Sequence, residues 1–314
     1  MDNMYDVIII GSGPAGLTAA IYTTRASLKT LIIAGEKWGG QLQLTSLVEN
    51  FPGFPEGIQG PELMANMRKQ AEHHGAEIVD VSFTKGDFSN QPFSVLTNDK
   101  EYQAKAVIIA SGADARWLGV PGEEERIGKG VSSCATCDSM FFRNKNVFVV
   151  GGGDSAMEEA LVLAKVASSV TLIHRRDAFR ASDIMQQRVK DHPKITLLLN
   201  SEITEIKGEG RVQSATLKNN QTGSLDELPV DGIFVAIGHI PNTKVFEGVE
   251  LDTEGYIKVQ DHYHTNIPGI FTAGDVHDRA YRQAVTAAGF GAAAALEAER
   301  WLATGGQSHN VKTS

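Results

Sequence analysis

The segment VIIIGSGPAG, residues 7–16, decides the fold of this chain. Its first four residues form a short β-branched run, which is typical of a parallel strand covered on both faces. The remaining six residues form a glycine-rich turn, and an alanine-rich helical pattern follows from Leu17 to Ala26. A second apolar run, Leu31–Ile33, completes the pattern of a βαβ unit.

The glycines of this turn have separate predicted roles. Gly11 permits a tight turn, Gly13 lets the backbone approach a pyrophosphate, and Gly16 lets the helix pack closely on the strand. The free N–H groups at the start of the helix then face the phosphates. Glu36 stands about 20 residues beyond the turn, where an acid usually meets a ribose hydroxyl.

The same pattern recurs later in the chain. The run VFVV (147–150) leads into GGGDSA (151–156), a helical pattern follows from Ser155 to Ala167, and the run VTLI (170–173) predicts the next strand. Ala156 replaces the third glycine, which is an accepted variant. Two such turns, each between a strand and a helix, predict an α/β fold with two Rossmann-like dinucleotide-binding domains.

The two predicted units differ after their second strand. The segment HRRDAFR (174–180) brings arginines to the place where the first unit has Glu36. An acid there favours a free 2′-hydroxyl, whereas arginines favour a 2′-phosphate through bidentate hydrogen bonds. The second unit is therefore predicted to bind NADP and the first to bind FAD or NAD. A solvated basic surface is the alternative interpretation of the arginines.

The length and the net charge of the chain limit the number of domains and the classes of function. A chain of 314 residues fits about two domains, and 29 Lys+Arg against 38 Asp+Glu give a net charge of −9. That balance argues against a general nucleic-acid binder, which needs a basic face. No apolar segment has the length of a signal peptide or of a membrane span. We therefore expect a cytoplasmic protein with no membrane or nucleic-acid partner.

The two cysteines of the chain, Cys134 and Cys137, stand just before the second glycine turn. A zinc site needs two further ligands, and the only close, non-adjacent histidines are His262 and His264. Inert core cysteines are a second alternative. A redox-active pair fits better, because two intervening residues let a disulfide close a small ring, and such pairs often contain a thiol of lowered pKa.

Asp138 directly follows the cysteine pair. Its carboxyl group is a candidate proton donor or acceptor for the two thiols, provided that burial raises its pKa. A helix N-cap is an equally good interpretation, because Asp is a preferred N-cap residue.

Other segments complete the outline of the fold. Three more apolar runs lead to a glycine, at residues 106–110, 233–237 and 270–273. Ligands in open α/β sheets lie beyond the carboxyl ends of strands, so Asp275 is a candidate for a hydrogen bond to the sugar chain of a cofactor. An alanine-rich helix is predicted from Arg282 to Leu302, and antiparallel layers are predicted for residues 83–102 and 194–229.

These features together resemble the bacterial-type, low-molecular-weight thioredoxin reductases. The resemblance covers essentially the whole chain and is carried by GSGPAG (11–16), GGQL (39–42), VENFPGF (48–54), CATCD (134–138), GGGDSA (151–156), HRRDAFR (174–180), VAIGHIPNT (235–243), TAGDV (272–276) and YRQA (281–284). It implies that NADPH reduces FAD, that FAD reduces the Cys134–Cys137 pair, and that this pair reduces the disulfide of thioredoxin. Cys137 would lie nearer the flavin, Cys134 would attack thioredoxin, and Asp138 would complete the catalytic set.

The resemblance also implies a domain arrangement. The FAD-binding domain would be discontinuous, with residues 1–114 and 246–314, and the inserted NADPH-binding domain, residues 115–245, would carry the cysteines. One domain would rotate against the other, so that the dithiol and the nicotinamide alternate at the flavin. The hinges would lie near residues 112–116 and 242–245, and the protein would be a homodimer.

The resemblance assigns cofactor contacts by position. The implied FAD contacts are Gly11, Ser12, Gly13, Pro14, Ala15, Gly16, Glu36, Gly40, Gln41, Asn50, Gly274, Asp275, Arg282, Gln283 and Ala284. The implied NADPH contacts are Gly151, Gly153, Asp154, Ser155, His174, Arg175, Arg176 and Arg180. Residues 36–38 lie in a loop that varies in the family, and Trp38 has two interpretations, stacking on the adenine or covering a surface.

Relatives of the same fold define the alternatives. Flavin reductases that are fed by ferredoxin lack the cysteine pair, and dithiol oxidases that use oxygen lack the NADPH arginines. Glutathione-reductase-like enzymes carry a Cys-x₄-Cys in the FAD domain and a long C-terminal interface domain. A non-catalytic nucleotide sensor would leave the dithiol without a role. Cys134, Cys137 and the arginines therefore favour thioredoxin reduction.

Overall fold

The computed structural model describes residues 4–261 and 263–306. His262, one of the two histidines considered for a zinc site, and the tail 307–314 lie outside the described residues. Within the described ranges, no group of three or more His, Cys, Asp or Glu side chains is placed to hold a metal ion. None of the helices in these ranges is both long and apolar enough to cross a membrane.

Strands and helices follow one another along most of the chain. The helices are α1 (Pro14–Arg25), α2 (Gly60–His73), α3 (Ala135–Asp138), α4 (Asp154–Ala164), α5 (Asp183–Lys190) and α6 (Ala284–Ala303). The strands before the cysteine pair are β1 (Met4–Ile10), β2 (Thr30–Ile33), β3 (Leu47–Val48), β4 (Ile58–Gln59), β5 (Glu77–Val79), β6 (Phe83–Asp87), β7 (Phe93–Thr97), β8 (Glu101–Ile109), β9 (Ala113–Ala115) and β10 (Val131–Ser132). The strands after it are β11 (Asn146–Gly151), β12 (Ser169–Ile173), β13 (Ile195–Leu198), β14 (Ser201–Lys207), β15 (Ser214–Asn219), β16 (Leu225–Pro229), β17 (Gly232–Ala236), β18 (His239–Pro241) and β19 (Ile270–Thr272). Short 3₁₀ helices cover Gly40–Leu44, Glu124–Arg126 and Ser139–Phe142.

The chain divides into two compact units. Unit 1 contains the residues up to Asp114 and those from Ile240 onward, and unit 2 contains Ala115–His239. The units therefore divide after residues 114 and 239, whereas the sequence prediction divides the chain after residues 114 and 245.

Unit 1 is built on a seven-stranded sheet in the order β5-β2-β1-β8-β7-β6, in which β19 also pairs with β8. Strands β5, β2, β1, β8 and β19 are parallel. Their central residues, Ile8 and Ile108 among them, are fully buried, as expected of strands covered on both faces. Strands β6, β7 and β8 pair antiparallel, which confirms the antiparallel layer predicted for residues 83–102.

Helices α1 and α6 pack closely against each other in unit 1. A side chain at Gly291 of α6 would strike the carbonyl oxygen of Ala15, so the glycine lets α6 lie directly against the start of α1. Gln283 caps α6, and its side chain and that of Thr286 form a reciprocal capping box. The predicted helix, from about Arg282 to Leu302, is confirmed, and it begins two residues later, at Ala284, because Arg282 has a left-handed φ of 47°.

Unit 2 contains a parallel sheet of five strands in the order β10-β17-β11-β12-β13. Buried side chains of α4 and α5, such as Met157 and Val189, belong to the same core as Val149 and Leu172 of this sheet. A separate antiparallel sheet has the order β14-β15-β16. The antiparallel layer predicted for residues 194–229 is confirmed from β14 onward.

The prediction is wrong for β13, which pairs in parallel with β12 at the edge of the five-stranded sheet. Its residues Ile195 and Leu197 pack against the apolar core beneath that sheet, and this burial decides the pairing. Each parallel sheet carries a glycine turn and a helix after a central strand, β1 or β11. The predicted α/β fold with two Rossmann-like units is therefore confirmed.

Candidate active site

The first glycine turn lies at the carboxyl end of β1. Gly11 has a left-handed φ of 114°, and a Cβ there would strike the carbonyl oxygen of Ala110. A Cβ on Gly16 would strike the carbonyl oxygen of Gly11. Gly13 is the N-cap of α1, no side chain caps the helix, and no atom lies within 4 Å of the place of its Cβ. The backbone therefore leaves no room for a side chain at Gly11 and Gly16, whereas the space beside Gly13 is open to a ligand.

The side chain of Ser12 ties the loop after β2 to this turn. Ser12 is buried, and its Oγ donates a hydrogen bond to the carbonyl oxygen of Ala34 (2.7 Å) and accepts one from the N–H of Gly39 (2.9 Å). Further along the same loop, the exposed side chain of Gln41 donates a hydrogen bond to Asp114 (2.8 Å).

Two more glycines approach the turn closely. A Cβ on Gly40 would lie 3.6 Å from the Cα of Gly13. A Cβ on Gly274 would lie 2.9 Å from the Cβ of Ala15, at the start of α1. The structure thus brings together the turn, the loop after β2 and the end of β19, which are distant in sequence and share the implied FAD contacts.

Asp275 follows Gly274, and its carboxyl group is buried and has a raised pKa. Burial, with a smaller contribution from the Asp278 carboxylate, raises its pKa to about 7, and the charge of Arg282 opposes this shift. Its Oδ1 is buried and has no hydrogen-bond partner among the described residues. Asp278, in contrast, accepts hydrogen bonds from the N–H groups of Ala280 and Arg282. A buried oxygen without a partner marks a place for a donor that a ligand supplies.

Two implied FAD contacts that are 233 residues apart in the chain meet at the start of α6. The side-chain amide of Asn50 donates a hydrogen bond to Oε1 of Gln283 at 3.2 Å. Ala284 is the first residue of α6, and the left-handed backbone of Arg282 precedes the cap. The YRQA segment therefore forms the N-terminal end of a 20-residue helix.

The loop after β2 also decides between the two interpretations of Trp38. The guanidinium group of Arg68 lies over the Trp38 ring, 4.8 Å from its centroid, and the ring packs against the core of unit 1. Glu36 is exposed and accepts a hydrogen bond from the side chain of Asn98 at 3.2 Å. Because Arg68 covers one face of the indole, the structure favours a surface-covering role over adenine stacking.

The second glycine turn lies at the carboxyl end of β11 in unit 2. A Cβ on Gly151 would strike the carbonyl oxygen of Ala236, and a Cβ on Gly152 would strike the ring of His174. Gly153 is the N-cap of α4, no side chain caps the helix, and the space around the glycine is open. The second turn therefore repeats the first: it is tight where it meets the sheet and open where its helix begins.

His174 supports this turn from below. Its side chain is 7% exposed, and its ring stacks on Phe179 with the centroids 5.2 Å apart. Burial lowers the pKa of His174, and hydrogen bonds with the backbone of Ala178 and Gly151 oppose the shift. The ring is therefore neutral at pH 7 and packs under Gly152.

Three exposed arginines follow β12, namely Arg175, Arg176 and Arg180. None of them forms an ion pair with another described residue. The N–H of Arg180 donates a hydrogen bond to the carbonyl oxygen of Gly152 (2.7 Å), which anchors the arginine loop to the glycine turn. From the other side, the N–H of Asn200 bonds the carbonyl oxygen of Arg176 (3.0 Å) and Nδ2 of Asn220 bonds that of Arg175 (3.1 Å). These two asparagines lie outside the HRRDAFR motif, so no sequence pattern identifies them.

The side chain of Asp154 is engaged within unit 2. Its carboxylate accepts hydrogen bonds from the N–H (2.9 Å) and the hydroxyl (2.8 Å) of Ser182, and these bonds lower its pKa. They hold the start of α5 beside the start of α4. Ser155 follows in α4 and is exposed. The groups at the start of α4 that can bind a phosphate are therefore the backbone N–H groups and not the Asp154 carboxylate.

Cys134 and Cys137 form a disulfide across the short helix α3, with their Cα atoms 5.3 Å apart. Cys134 is the N-cap of α3, and its Sγ accepts a hydrogen bond from the N–H of Cys137 at 3.2 Å. Both side chains are half-buried. An N–H that donates to a cysteine sulfur favours the thiolate, which is the form of a thiol that takes part in disulfide exchange.

Asp138 ends α3 and is partly buried. Burial raises the pKa of its carboxyl, and the hydrogen bond from Ser132 Oγ to Oδ2 (2.6 Å) opposes part of this shift. The carboxyl makes no N-cap bond, because Cys134 caps α3 and the next 3₁₀ helix has no side-chain cap. Of its two interpretations, the N-cap is not realised, and the raised pKa that proton exchange requires is present.

Ser132 is a neighbour of the cysteines that sequence analysis missed. It is 7% exposed, and its Oγ also accepts a hydrogen bond from the N–H of Cys134 at 3.1 Å. Its only signal in the sequence is its position two residues before the first cysteine, which lies outside the Cys-x-x-Cys-Asp motif.

The residues around both turns fit a dinucleotide. Each turn has an open glycine N-cap and leads into a helix, of 12 residues in unit 1 and 11 in unit 2, whose start can bind a pyrophosphate. Beside the first turn, Asp275 offers a buried acceptor for a sugar hydroxyl. Beside the second, the arginine loop offers positive charge for a 2′-phosphate.

The family model described as "Pyridine nucleotide-disulphide oxidoreductase" matches residues 5–291 of this chain. The chain belongs to this family. Among its relatives, the thioredoxin reductase of Mycolicibacterium smegmatis is 55% identical over 302 residues, which cover 96% of this chain and 97% of that protein. The predicted resemblance to the low-molecular-weight thioredoxin reductases is therefore confirmed.

Solved structures of the family agree with this placement. The crystal structure of thioredoxin reductase from Streptococcus pyogenes matches with a TM-score of 0.92 and 42% identity, over 97% of this chain and 100% of that one. A protein of Pseudomonas fluorescens named glucosaminate ammonia-lyase is also 51% identical, over 94% of this chain and 95% of that protein. Because relatives with both names are about equally similar, the residues of the site must decide the activity.

Proposed function

We propose that this protein is an NADPH-dependent thioredoxin reductase. The observation that carries the proposal is the Cys134–Cys137 disulfide, held in the same unit as a glycine turn flanked by arginines. Elimination of ammonia transfers no electrons to a disulfide, so a lyase would leave the cysteine pair without a role.

The first turn, in unit 1, is the proposed FAD site. The open N-cap Gly13 and the start of α1 bind the pyrophosphate, and the buried Oδ1 of Asp275 accepts a hydrogen bond from the sugar chain. Asn50 and Gln283, which bond each other, line the same site with Arg282. The other proposed contacts are Gly11, Ser12, Pro14, Ala15, Gly16, Glu36, Gly40, Gln41, Gly274 and Ala284. When bound, the flavin supplies a group that takes up a hydride and passes on two electrons.

The second turn, in unit 2, is the proposed NADPH site. Gly151, Gly153 and the backbone of Asp154 and Ser155 bind the pyrophosphate at the start of α4. The exposed guanidinium groups of Arg175, Arg176 and Arg180 bind the 2′-phosphate. His174 contributes by supporting the turn, since its ring is buried under Gly152.

The cysteine pair passes electrons to thioredoxin by thiol–disulfide exchange. The Cys134 thiolate attacks one sulfur of the thioredoxin disulfide; a mixed disulfide forms, and the other thioredoxin sulfur leaves as a thiolate. Cys137 then attacks the sulfur of Cys134, which restores the Cys134–Cys137 disulfide and releases the second thioredoxin thiolate. Two electrons have passed from the dithiol to thioredoxin, and each released thiolate takes up one proton.

Asp138 is the proposed proton donor and acceptor for these steps. Its carboxyl lies in the same short helix as the pair, and its raised pKa brings the protonated form closer to the pH at which the enzyme works. The carboxylate takes a proton from an attacking thiol, and the carboxyl returns a proton to a departing thiolate.

The remaining parts of the proposal rest on the family. The chain passes between the units twice, after Asp114 and after His239. Rotation about residues 112–116 and 242–245 would let the dithiol and the nicotinamide alternate at the flavin. The proposed enzyme is a homodimer and acts in the cytoplasm.

A coupled assay tests the proposal. The purified protein should be yellow, and with NADPH it should reduce a disulfide dye only when thioredoxin is present. Cys137→Ser should lower this turnover to background, whereas Thr136→Ser, at an exposed position between the cysteines, should retain it. Full thioredoxin-dependent turnover in Cys137→Ser would contradict the mechanism.

A parallel assay addresses the second name found among the relatives. The protein is incubated with glucosaminate, and ammonia is measured with and without NADPH. We expect no ammonia above background. Ammonia release together with no thioredoxin-dependent turnover would reject the proposed function.

A further inference from the structure

One hydroxyl group joins the parts of the thiol site in unit 2. Ser132 Oγ lies 2.6 Å from Asp138 Oδ2 and 3.1 Å from the backbone nitrogen of Cys134. Ser132 belongs to β10, which pairs in parallel with β17, and it is 7% exposed. Strand pairing fixes its backbone and burial limits its side chain, so the hydroxyl has a defined place between the N-cap and the last residue of α3.

The hydrogen-bond pattern at this hydroxyl is restricted. A serine has one proton to donate, and the N–H of Cys134 is itself a donor, so Ser132 accepts at Cys134. Its proton is then available for the Asp138 carboxyl at 2.6 Å, because the carbonyl oxygen of Cys134 is more distant at 3.5 Å. A carboxyl that accepts this bond is stabilised in its ionised form.

No other polar group near α3 has a comparable effect on the carboxyl. The charged residues on the adjoining α4 are Asp154, Glu158 and Glu159, and those after the 3₁₀ helix are Arg143 and Lys145. Strands β10 and β17 carry no charged residue. The pKa of Asp138 is raised by burial and lowered only by the Ser132 bond, with no contribution from these charges.

We propose that Ser132 is a positioning residue for the thiol reaction: its hydroxyl holds the Asp138 carboxyl and the backbone of Cys134 together and so controls proton exchange between the carboxyl and the thiols. This inference rests on the proposed function and deepens it. Ser132 acts through Asp138 and does not itself touch the reacting sulfurs in this scheme.

The proton balance shows where Ser132 acts. An attacking thiol gives its proton to the Asp138 carboxylate, its sulfur bonds a thioredoxin sulfur, and the thioredoxin disulfide breaks. The departing thiolate takes the proton back from the carboxyl, so Asp138 ends in its starting state. Without the Ser132 donor the carboxylate is harder to form, and the exchange requires a higher pH.

The test is the pH profile of kcat/KM for thioredoxin in the complete FAD enzyme. In Ser132→Ala we expect the profile limb that Asp138 governs to move up by about one pH unit, since a hydrogen bond to a charged group is lost. In an Asp138→Asn background the same substitution should move no limb. Ser133→Ala removes a neighbouring hydroxyl that makes no hydrogen bond to another described residue, and it should keep the wild-type profile.

A second measurement does not depend on thioredoxin. The infrared band of the protonated carboxyl that Asp138→Asn abolishes is titrated in the wild-type protein and in Ser132→Ala. A midpoint that moves up in Ser132→Ala supports the inference even if the wild-type protein fails to reduce thioredoxin, an outcome that would reject the proposed function alone. An unchanged midpoint, or a rate that falls equally at every pH, would overturn the role of Ser132.

Discussion

The two glycine turns share a crowded first glycine and an open N-cap glycine, and they have opposite electrostatic surroundings. In both, the first glycine would collide with a carbonyl oxygen of a neighbouring strand end if it carried a Cβ, and the helix N-cap glycine faces open space. The first turn lies beside the acids Asp275 and Asp278, whereas the second lies beside Arg175, Arg176 and Arg180.

The difference in charge around the two turns separates two roles. The turn itself provides a phosphate site that suits any dinucleotide, and the segments next to it determine which nucleotide binds. A helix start binds any pyrophosphate. A buried carboxyl such as Asp275 can accept a bond from a sugar hydroxyl but would repel a further phosphate, whereas an arginine loop attracts one.

The largest expected effect is that of Asp275, in unit 1, on the free energy of unfolding. In flavin-free protein the raised pKa of Asp275, about 7, means that the folded state keeps a proton that the unfolded state loses between about pH 4 and 7. The contribution of Asp275 to the free energy of unfolding should therefore fall as the pH rises through this window, by at most about 4 kcal/mol. Burial lowers the pKa of His277 to about 4, and this histidine contributes a change of opposite sign over nearly the same window. Denaturant titrations at several pH values measure the net change. The difference between the wild type and Asp275→Asn isolates the Asp275 contribution, and the exposed control Asp99→Asn should keep the wild-type dependence.

The next largest effect on stability is expected at the third glycine position of each turn, which is Gly16 in the first turn and Ala156 in the second. Gly16→Ala should destabilise the protein by about 2–3 kcal/mol, because its Cβ would strike the Gly11 carbonyl oxygen. Ala156→Gly, at the matching position, should cost only about 1 kcal/mol, which is the usual helix penalty. Thermal melting and flavin content are the measurements. Equal losses at the two positions would contradict the crowding at Gly16.

The arginine loop should decide between NADPH and NADH. Arg175→Ala or Arg176→Ala should lower kcat/KM for NADPH by about ten- to a hundredfold and leave that for NADH unchanged, since each loses a charged hydrogen bond. Arg188→Ala, at an exposed position on α5, is the control. Wild-type protein that uses both nucleotides equally would contradict the contrast between the turns.

The smallest effect tests how the arginine loop is held. Asn220→Leu keeps about the size of the side chain and adds no charge, but it removes the donor to the Arg175 carbonyl oxygen. We expect the preference for NADPH over NADH to fall about fivefold, as the loss of one hydrogen bond predicts. The ratio of kcat/KM for the two nucleotides measures this, and a merely structural defect would lower both values equally.

Local patterns in the sequence predicted the framework of the fold well. Short β-branched runs that end in a glycine turn, such as residues 7–10, favour a buried parallel strand, and Gly11 and Gly16 are required by the close approach of the backbone. The edge strand β13 was not predicted, because its parallel pairing depends on core residues elsewhere in unit 2. Ser132 and Asn220 were missed for a related reason: their hydrogen bonds connect segments that only the fold brings together.

The site residues divide in the same way. The redox role of the cysteine pair could be predicted because two intervening residues allow a disulfide, and the structure contains that disulfide. The raised pKa of Asp138 could not be predicted from the sequence, because it results from burial in the folded unit. His174 belongs to the motif, yet the structure places its ring under the turn.

Alkylation of the two cysteines under anaerobic conditions tests the proposed reaction most directly. The chain has only Cys134 and Cys137, so mass spectrometry counts the reduced pair without ambiguity. A stoichiometric amount of NADPH added to the yellow protein should make both cysteines alkylatable. An excess of oxidised thioredoxin added next should restore the disulfide while two thioredoxin cysteines become alkylatable. A pair that stays oxidised with NADPH, or stays reduced after thioredoxin is added, would contradict electron transfer through this disulfide.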